Sequence, residues 1–138
     1  MTPRNPQLYR NVVRWEDLPE EEVRKGVRRR SYASDEVMLV MNWLSPGMDL
    51  SPHKHDEFDQ LAWVVSGRAN YYVDDVPHEM TAGSMLLVPA GAMHYIEPLG
   101  ESPDDVVENL DVFVPPRSDL LHLVASLSGA AGDDGRTP

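Results

Sequence analysis

The feature that most limits the fold of this chain is a succession of short apolar segments between residues 26 and 116. Each segment has five to nine residues, and Gly, Pro, Asp and Ser residues separate one segment from the next. Segments of this length suit β-strands, and frequent turn signals between them are typical of a β-sandwich or β-barrel. We therefore predict an all-β fold of antiparallel strands, in VRRRSYA, VMLVMNWL, QLAWVVSG, ANYYVDD, HEMTA, SMLLVPA, MHYIEP and VVENLDVFV.

Two segments outside the predicted strands have features of helices. Asp17 precedes Pro19 and three acidic residues in DLPEEEV, which predicts a short helix that ends near Lys25, before Gly26. The segment 118–127 has leucine and valine at helical spacing after a serine, which predicts a short C-terminal helix.

The length of 138 residues fits one hydrophobic core and is too short for two ordinary domains. We expect residues 1–128 to form a single domain. Residues 129–138 are small and polar, so we expect a disordered tail there.

The hydropathy, cysteine content and net charge of the chain limit where the protein can be located and which partners it can bind. The chain has no apolar run of membrane-spanning length, no secretory leader and no cysteine, so we expect a cytoplasmic protein whose metal ligands are nitrogen and oxygen. The net charge is −11, and residues 31–138 alone carry −14, which argues against nucleic acid as a partner. We interpret the basic step Arg28-Arg29-Arg30 as a solvated strand edge.

Three histidines and one glutamine are spaced as ligands of a metal ion. His53 and His55 are two residues apart, so on an extended chain both project from the same face. Gln60 begins the next apolar segment, and His94 follows a Pro-x-Gly turn on a distant one. Together they predict a site of three nitrogens and one oxygen that leaves positions for water or substrate.

These residues also resemble the two sequence motifs of the cupin superfamily. The spacer of 15 residues between the motifs is similar to that of compact bacterial cupins, and both motifs lie within residues 47–98. The resemblance implies a jelly-roll β-sandwich, or cupin barrel, that holds a divalent metal between the motifs. The first motif is matched by Gly47, His53, His55, Gln60 and Gly67, and the second by Gly83, Pro89, Gly91 and His94.

The chain departs from the cupin pattern at two positions. Members of the family usually have glutamate where this chain has Gln60, and often asparagine where it has Pro98. A neutral amide keeps the cation electrophilic but holds a hard ion weakly, so we expect zinc, with iron(II), nickel or manganese as alternatives. Asp59 and Glu57 are alternative oxygen ligands, but strand alternation turns Asp59 away from Gln60, so we prefer Gln60.

The segments HDEFDQLAWVVSGRANYYV and VPAGAMHYIEPL most resemble the cupin-type cyclases of aromatic polyketide pathways, such as those of resistomycin and tetracenomycin biosynthesis. The resemblance implies antibiotic biosynthesis and an aldol-type ring closure of an aromatic polyketide, with the metal as electrophile. Metal-bound hydroxide or Asp59 is the candidate base. An apolar cavity for such a substrate would be lined by Met41, Trp43, Trp63 and Tyr72, although packing in the core is the alternative for these residues.

Two other functions compete with the cyclase. A cupin dioxygenase would use the same three histidines and would require oxygen, and a non-enzymatic cupin would only bind a small metabolite. We expect His78 to be exposed and His122 to pack or be solvated, so neither is assigned to the site. Open strand edges favour a homodimer, and no membrane partner is expected.

Overall fold

The computed structural model describes residues 5–124, which contain nine β-strands and three short 3-10 helices. The helices are Pro6–Leu8, Trp15–Asp17 and Ser118–Val124. The strands are β1 (Glu21–Arg24), β2 (Val27–Ala33), β3 (Met38–Leu44), β4 (Gln60–Ser66), β5 (Arg68–Val73), β6 (Val76–Met80), β7 (Met85–Val88), β8 (His94–Leu99) and β9 (Val107–Phe113).

The strands form two antiparallel sheets. The larger sheet has the order β1-β2-β3-β9-β4-β7, and the smaller sheet has the order β6-β5-β8. Buried residues of the two sheets pack in one cluster that includes Leu44 and Val64 from the larger sheet and Tyr71 and Met80 from the smaller one. The predicted antiparallel β-sandwich is therefore confirmed.

Alternation along β4 decides which residues face the space between the sheets. Gln60, Ala62 and Val64 are all buried, while Trp63 between them is exposed. Gln60 thus faces the interior at the first position of its strand, as its spacing from the apolar residues predicts.

The predicted helix near the start of the chain is wrong. Of its residues only Asp17 lies in a 3-10 helix, Trp15–Asp17, and Glu21 and Glu22 belong to β1, which pairs with β2. Glu21 lies opposite Arg29, and Arg29 Nε donates a hydrogen bond to Glu21 Oε1 at 2.8 Å. Gly26 has φ +81° at the hairpin turn, a conformation that favours glycine. Opposite charges across a tight hairpin therefore outweigh the helix-start signal.

The C-terminal helix predicted over 118–127 is described as the 3-10 helix Ser118–Val124, and residues 125–127 lie outside the described residues. Leu120 and Leu123 pack against Met38 and Phe113. The predicted tail, 129–138, also lies outside the described residues. None of the helices described between residues 5 and 124 has the length and hydropathy of a membrane span.

Candidate metal centre

The structure brings three of the predicted ligands together. The ligand nitrogens offered by His53, His55 and His94 all lie within 4.8 Å of one another. Two backbone hydrogen bonds join the loop before β4 to the start of β8: His53 N donates to His94 O at 3.0 Å, and His94 N donates to His53 O at 2.8 Å. The two sequence motifs therefore meet through their backbones, and the histidine side chains converge beside that contact.

Backbone carbonyls orient two of the three imidazoles. His53 Nδ1 lies 2.7 Å from Ser51 O, and His94 Nδ1 lies 3.0 Å from Ala92 O. Because Nδ1–H donates to the carbonyl in each case, Nε2 carries the lone pair that is available to a metal. His55 is held differently, by ring contacts with Phe58 and Phe113 at centroid distances of 5.0 and 5.8 Å.

Three buried atoms at this place have no hydrogen-bond partner among residues 5–124, namely His55 Nε2, His94 Nε2 and Gln60 Oε1. A buried polar atom without a partner is costly, so native proteins rarely keep several together without a ligand. All three atoms can donate a lone pair. One metal cation can accept lone pairs from all three atoms at the same time. The residues therefore fit a divalent metal of the kind that nitrogen and oxygen donors hold.

The imidazoles are poised to bind a cation at neutral pH. Burial, together with repulsion from Arg117 and the two other histidines, lowers the pKa of His55 to about 4. Burial also lowers the pKa of His53 and of His94. The neutral imidazoles therefore do not need to release protons before they coordinate.

The side chain of Gln60 is fixed with its oxygen free. Gln60 Nε2 donates to Tyr71 Oη at 3.1 Å, so the amide oxygen is the end left without a partner. Asp59, the alternative ligand, has another contact, because its Oδ1 accepts a hydrogen bond from Ala90 N at 2.9 Å. Glu57 is exposed. Gln60 thus stays our predicted oxygen ligand.

Tyr71→Phe tests the role of this hydrogen bond. Without Tyr71 Oη the amide of Gln60 can rotate, so we expect the affinity for the divalent metal to fall about 10- to 100-fold, the usual effect of losing a residue that orients a ligand. The measurement is a metal titration by calorimetry. Tyr72→Phe is the matched control, because Tyr72 Oη bonds Glu97. Equal losses in both variants would contradict this role for Tyr71.

A small polar cavity of about 80 Å³ lies between the sheets beside His53 and Gln60. It is lined by three polar residues that our sequence analysis did not assign to the site, Asn42, Asn109 and Asp111. The signal was present in the sequence, because Asn109 and Asp111 share one face of β9 with Val107 and Phe113, which are buried in the core. Polar residues at such positions indicate a site inside the sandwich.

Asp111 is a carboxyl group held inside this cavity. Asn42 Nδ2 donates a hydrogen bond to its Oδ2 at 3.1 Å. Its Oδ1 is buried and has no hydrogen-bond partner among residues 5–124. Burial raises the pKa of Asp111 to about 6, a rise that the neighbouring amides of Gln60, Asn109 and Asn42 partly offset. A carboxyl with this pKa exchanges protons readily near neutral pH.

Three arginines also line the cavity, Arg24, Arg29 and Arg117. Arg117 bonds Asp119 through both its Nε and an Nη, at 3.1 and 2.6 Å. The interpretation of Arg28-Arg29-Arg30 as a solvated edge is wrong for Arg29 and Arg30, whose side chains are 21% and 20% exposed, against 49% for that of Arg28. Alternation along β2 turns Arg29 towards the interior. Arg30 lies on the other face, where it donates hydrogen bonds to Trp15 O and Leu18 O.

The predicted substrate-lining residues Met41, Trp43, Trp63 and Tyr72 do not line this cavity. Met41 and Trp43 alternate with cavity-lining residues of β3, and Trp63 alternates with buried residues of β4. Tyr72 stacks on Tyr95 at a centroid distance of 4.5 Å. Alternation along the strands therefore places all four on the other faces of the sheets.

The remaining histidines lie apart from the three that converge. His78 is exposed on β6. His122 Nε2 lies 3.2 Å from Glu21 Oε2. On the other side of His55 there is a wider recess of about 640 Å³, whose walls include Phe58, Pro115 and Arg117. The candidate centre therefore lies between a small inner cavity and a larger outer recess.

Comparison with known proteins gives a consistent result. The family described as "Cupin domain" matches residues 43–112. Pectin degradation protein KdgF of Dickeya dadantii (strain 3937) is 30% identical over 107 residues, which cover 77% of this chain and 94% of that protein. Protein SchB of Streptomyces halstedii is 26% identical over 117 residues, which cover 81% of this chain and 84% of SchB.

A solved structure shows the same fold. The polyketide cyclase RemF from Streptomyces resistomycificus superimposes with a TM-score of 0.65 at 21% sequence identity. The match covers 78% of this chain and 81% of that one. At this level of identity the likeness concerns the fold.

Proposed function

The chain belongs to the cupin family, and from that premise we propose that it is a metal-dependent enzyme that acts on a small substrate bearing a carboxylate. His53, His55, Gln60 and His94 would hold the metal, for which zinc is our expectation. A divalent ion bound there would supply a Lewis acid that polarises a carbonyl oxygen. A cytoplasmic location is part of the proposal.

The charge of the inner cavity is the observation that carries the choice of substrate. Three arginines and one carboxyl group line it, whereas the whole chain has a net charge of −11. Arg29 is paired with Glu21 and Arg117 with Asp119, so a bound carboxylate would share these arginines with the carboxylates that hold them now. Arginine also pairs with carboxylates through two parallel hydrogen bonds, which orients the ligand. These properties favour a carboxylate over a neutral aromatic substrate.

Asp111 supports proton transfer as the reaction type. Its carboxyl group lines the same cavity as His53 and Gln60, and its pKa of about 6 lets it accept a proton and return it at neutral pH. A C–H or O–H bond beside a carbonyl is the usual source of such a proton. We propose that Asp111 Oδ takes this proton and delivers it to another atom of the same substrate, which is an isomerisation that consumes no oxygen.

The name of the Dickeya relative suggests where to look for the substrate. That protein is named for pectin degradation, and pectin is a polymer of uronic acids. Carboxylate-bearing sugar fragments are therefore the class that we would test first on this chain.

Arg29→Gln tests the proposed function. Loss of this cavity cation should raise KM for a carboxylate substrate about 10- to 100-fold and change kcat little, because the interaction binds the substrate without taking part in proton transfer. Arg28→Gln is the matched control, since the side chain of Arg28, next to Arg29 in the chain, is exposed. Steady-state kinetics on uronate fragments supplies the measurement. Activity on a neutral amide analogue equal to that on the carboxylate would contradict the proposal.

The second candidate is the polyketide cyclase, which would close an aldol ring in an aromatic polyketide. One observation favours it: the outer recess of about 640 Å³, with Phe58 and two prolines in its walls, is large enough for a multi-ring substrate. Steady-state kinetics on both substrate classes separates the two candidates. A cyclase would show no turnover of uronate fragments and would convert a poly-β-ketone. An oxygen electrode tests the remaining alternative, a dioxygenase, which would show oxygen uptake.

A further inference from the structure

The C-terminal helix, Ser118–Val124, lies beyond the part of the chain that matches the cupin family, residues 43–112. Its apolar residues anchor it to the fold, since three of them are buried, namely Leu120, Leu123 and Val124. Asp119 and His122 are three residues apart, and residues with this spacing lie one above the other on a 3-10 helix. The helix therefore presents a carboxylate and an imidazole together on one of its sides.

Asp119 holds Arg117 at the wall of the inner cavity. Arg117 donates hydrogen bonds from Nε and Nη2 to the two carboxylate oxygens of Asp119, at 3.1 and 2.6 Å. The side chain of Arg117 is 17% exposed, whereas that of Asp119 is 61% exposed. The carboxylate therefore holds the arginine from the solvent side, and Nη1 is the end of the guanidinium that this pair leaves for another acceptor.

His122 acts on Arg29 through Glu21. Arg29 Nε donates a hydrogen bond to Glu21 Oε1 at 2.8 Å, and Arg29 Nη2 lies 2.7 Å from the same oxygen. The other oxygen, Glu21 Oε2, accepts a hydrogen bond from His122 Nε2 at 3.2 Å. The carboxylate of Glu21 is thus fixed through both oxygens, and Arg29 keeps Nη1 outside the pair, as Arg117 does.

The two arginines are therefore presented to the inner cavity in the same way. Both line that cavity, and each is held by a carboxylate along its Nε and Nη2 edge. The hydrogen bond from Arg117 lowers the pKa of Asp119 in spite of partial burial, and the charges of both arginines add to that effect. An arginine that is held before the ligand arrives loses less conformational entropy on binding.

We propose that the C-terminal helix positions the two arginines that bind the substrate carboxylate, with Asp119 directing Arg117 and His122 directing Arg29 through Glu21. This inference rests on the carboxylate substrate proposed above. Asp119 and His122 are positioning residues, because they act through the arginines and hold neither the metal nor the reacting proton. Their loss should therefore weaken substrate binding and leave turnover of the bound substrate and metal content unchanged.

Calorimetric titration of the metal-loaded protein with galacturonate, the uronic acid of pectin, tests this role. Asp119→Asn keeps the size of the side chain and removes its charge, so we expect Kd to rise about 10-fold. His122→Ala should raise Kd about 3-fold, because it acts on Arg29 only through Glu21. Asp104→Asn and His78→Ala are the matched controls, since both residues are exposed and lie on other elements, and they should bind galacturonate as the parent does.

A double-substitution cycle separates positioning from a general structural effect. In an Arg117→Gln background, Asp119→Asn should change Kd by about 2-fold or less, because the arginine that it holds is gone. In steady-state kinetics on uronate fragments, Asp119→Asn and His122→Ala should raise KM and leave kcat unchanged. Circular dichroism checks that each variant is folded.

Two results would overturn the positioning role. One is an Asp119→Asn variant that binds galacturonate as tightly as the parent or more tightly, which would mean that Asp119 competes with the ligand for Arg117. The other is an equal effect of Asp119→Asn with and without Arg117. A parent protein that binds no galacturonate would overturn the carboxylate substrate together with this inference, so the two failures are distinguishable.

Discussion

Replacing His55 with alanine should remove the bound metal and lower turnover by about 1,000-fold or more, while the β-sandwich stays folded. His55 contributes one of the three converging imidazoles, and two imidazoles and a neutral amide hold a divalent ion poorly. Its ring lies in the loop before β4, outside the largest buried cluster of the core. Elemental analysis gives the metal content, and thermal unfolding monitors the fold.

His78→Ala is the control for this experiment, because it removes an exposed imidazole from β6 without touching the centre. It should keep one metal per chain and parental activity. If the His55 variant retained stoichiometric metal, the proposed ligand set would be wrong.

Replacing Asp111 with asparagine should lower turnover about 100- to 10,000-fold, the range typical of a lost general acid or base, while the metal is retained. Asparagine keeps the shape of the side chain, and Asn42 can still donate to its amide oxygen. The effect should appear mainly in kcat, because the residue would act on the reacting proton. Asp75→Asn, in the exposed turn between β5 and β6, is the control and should leave kcat unchanged.

The same substitution should make the metal-free protein more stable at neutral pH. The folded pKa of Asp111, about 6, is raised above the ordinary value of 3.8, so its ionisation opposes folding. The carboxyl favours the folded state fully only below about pH 3.8, and this contribution is lost as the pH rises through about 6. Asp111→Asn should therefore raise the free energy of unfolding by up to about 3 kcal/mol at pH 8, and by little near pH 4. Urea unfolding at both pH values measures the difference, and an equal effect at both would contradict the assignment.

Local sequence rules were sufficient where they act over a few residues. The spacing of His53 and His55 and the parity of Gln60 on β4 predicted residues that the fold brings to one place. The strands followed from apolar segments and turn residues, because alternation and turn chemistry are properties of the local chain. The motif spacing then linked His94 to the other histidines across a long separation.

Other features depend on which strands become neighbours. The acidic residues of β1 indicated a helix until their pairing with the arginines of β2 was known. Asp111 became a site residue because β9 lies between β3 and β4, which directs its side chain towards Gln60. The aromatic residues on β3, β4 and β5 suit either face of a sheet, so composition alone could not assign Trp43 or Trp63 to a cavity.

X-ray absorption spectroscopy of the metal-loaded protein would count the imidazoles around the ion. We expect three imidazole nitrogens and at least one oxygen bound to the ion in the parent protein, and two imidazoles in His55→Ala with metal added in excess. A parent spectrum with fewer than three imidazoles, or one that His55→Ala leaves unchanged, would contradict the proposed ligand set.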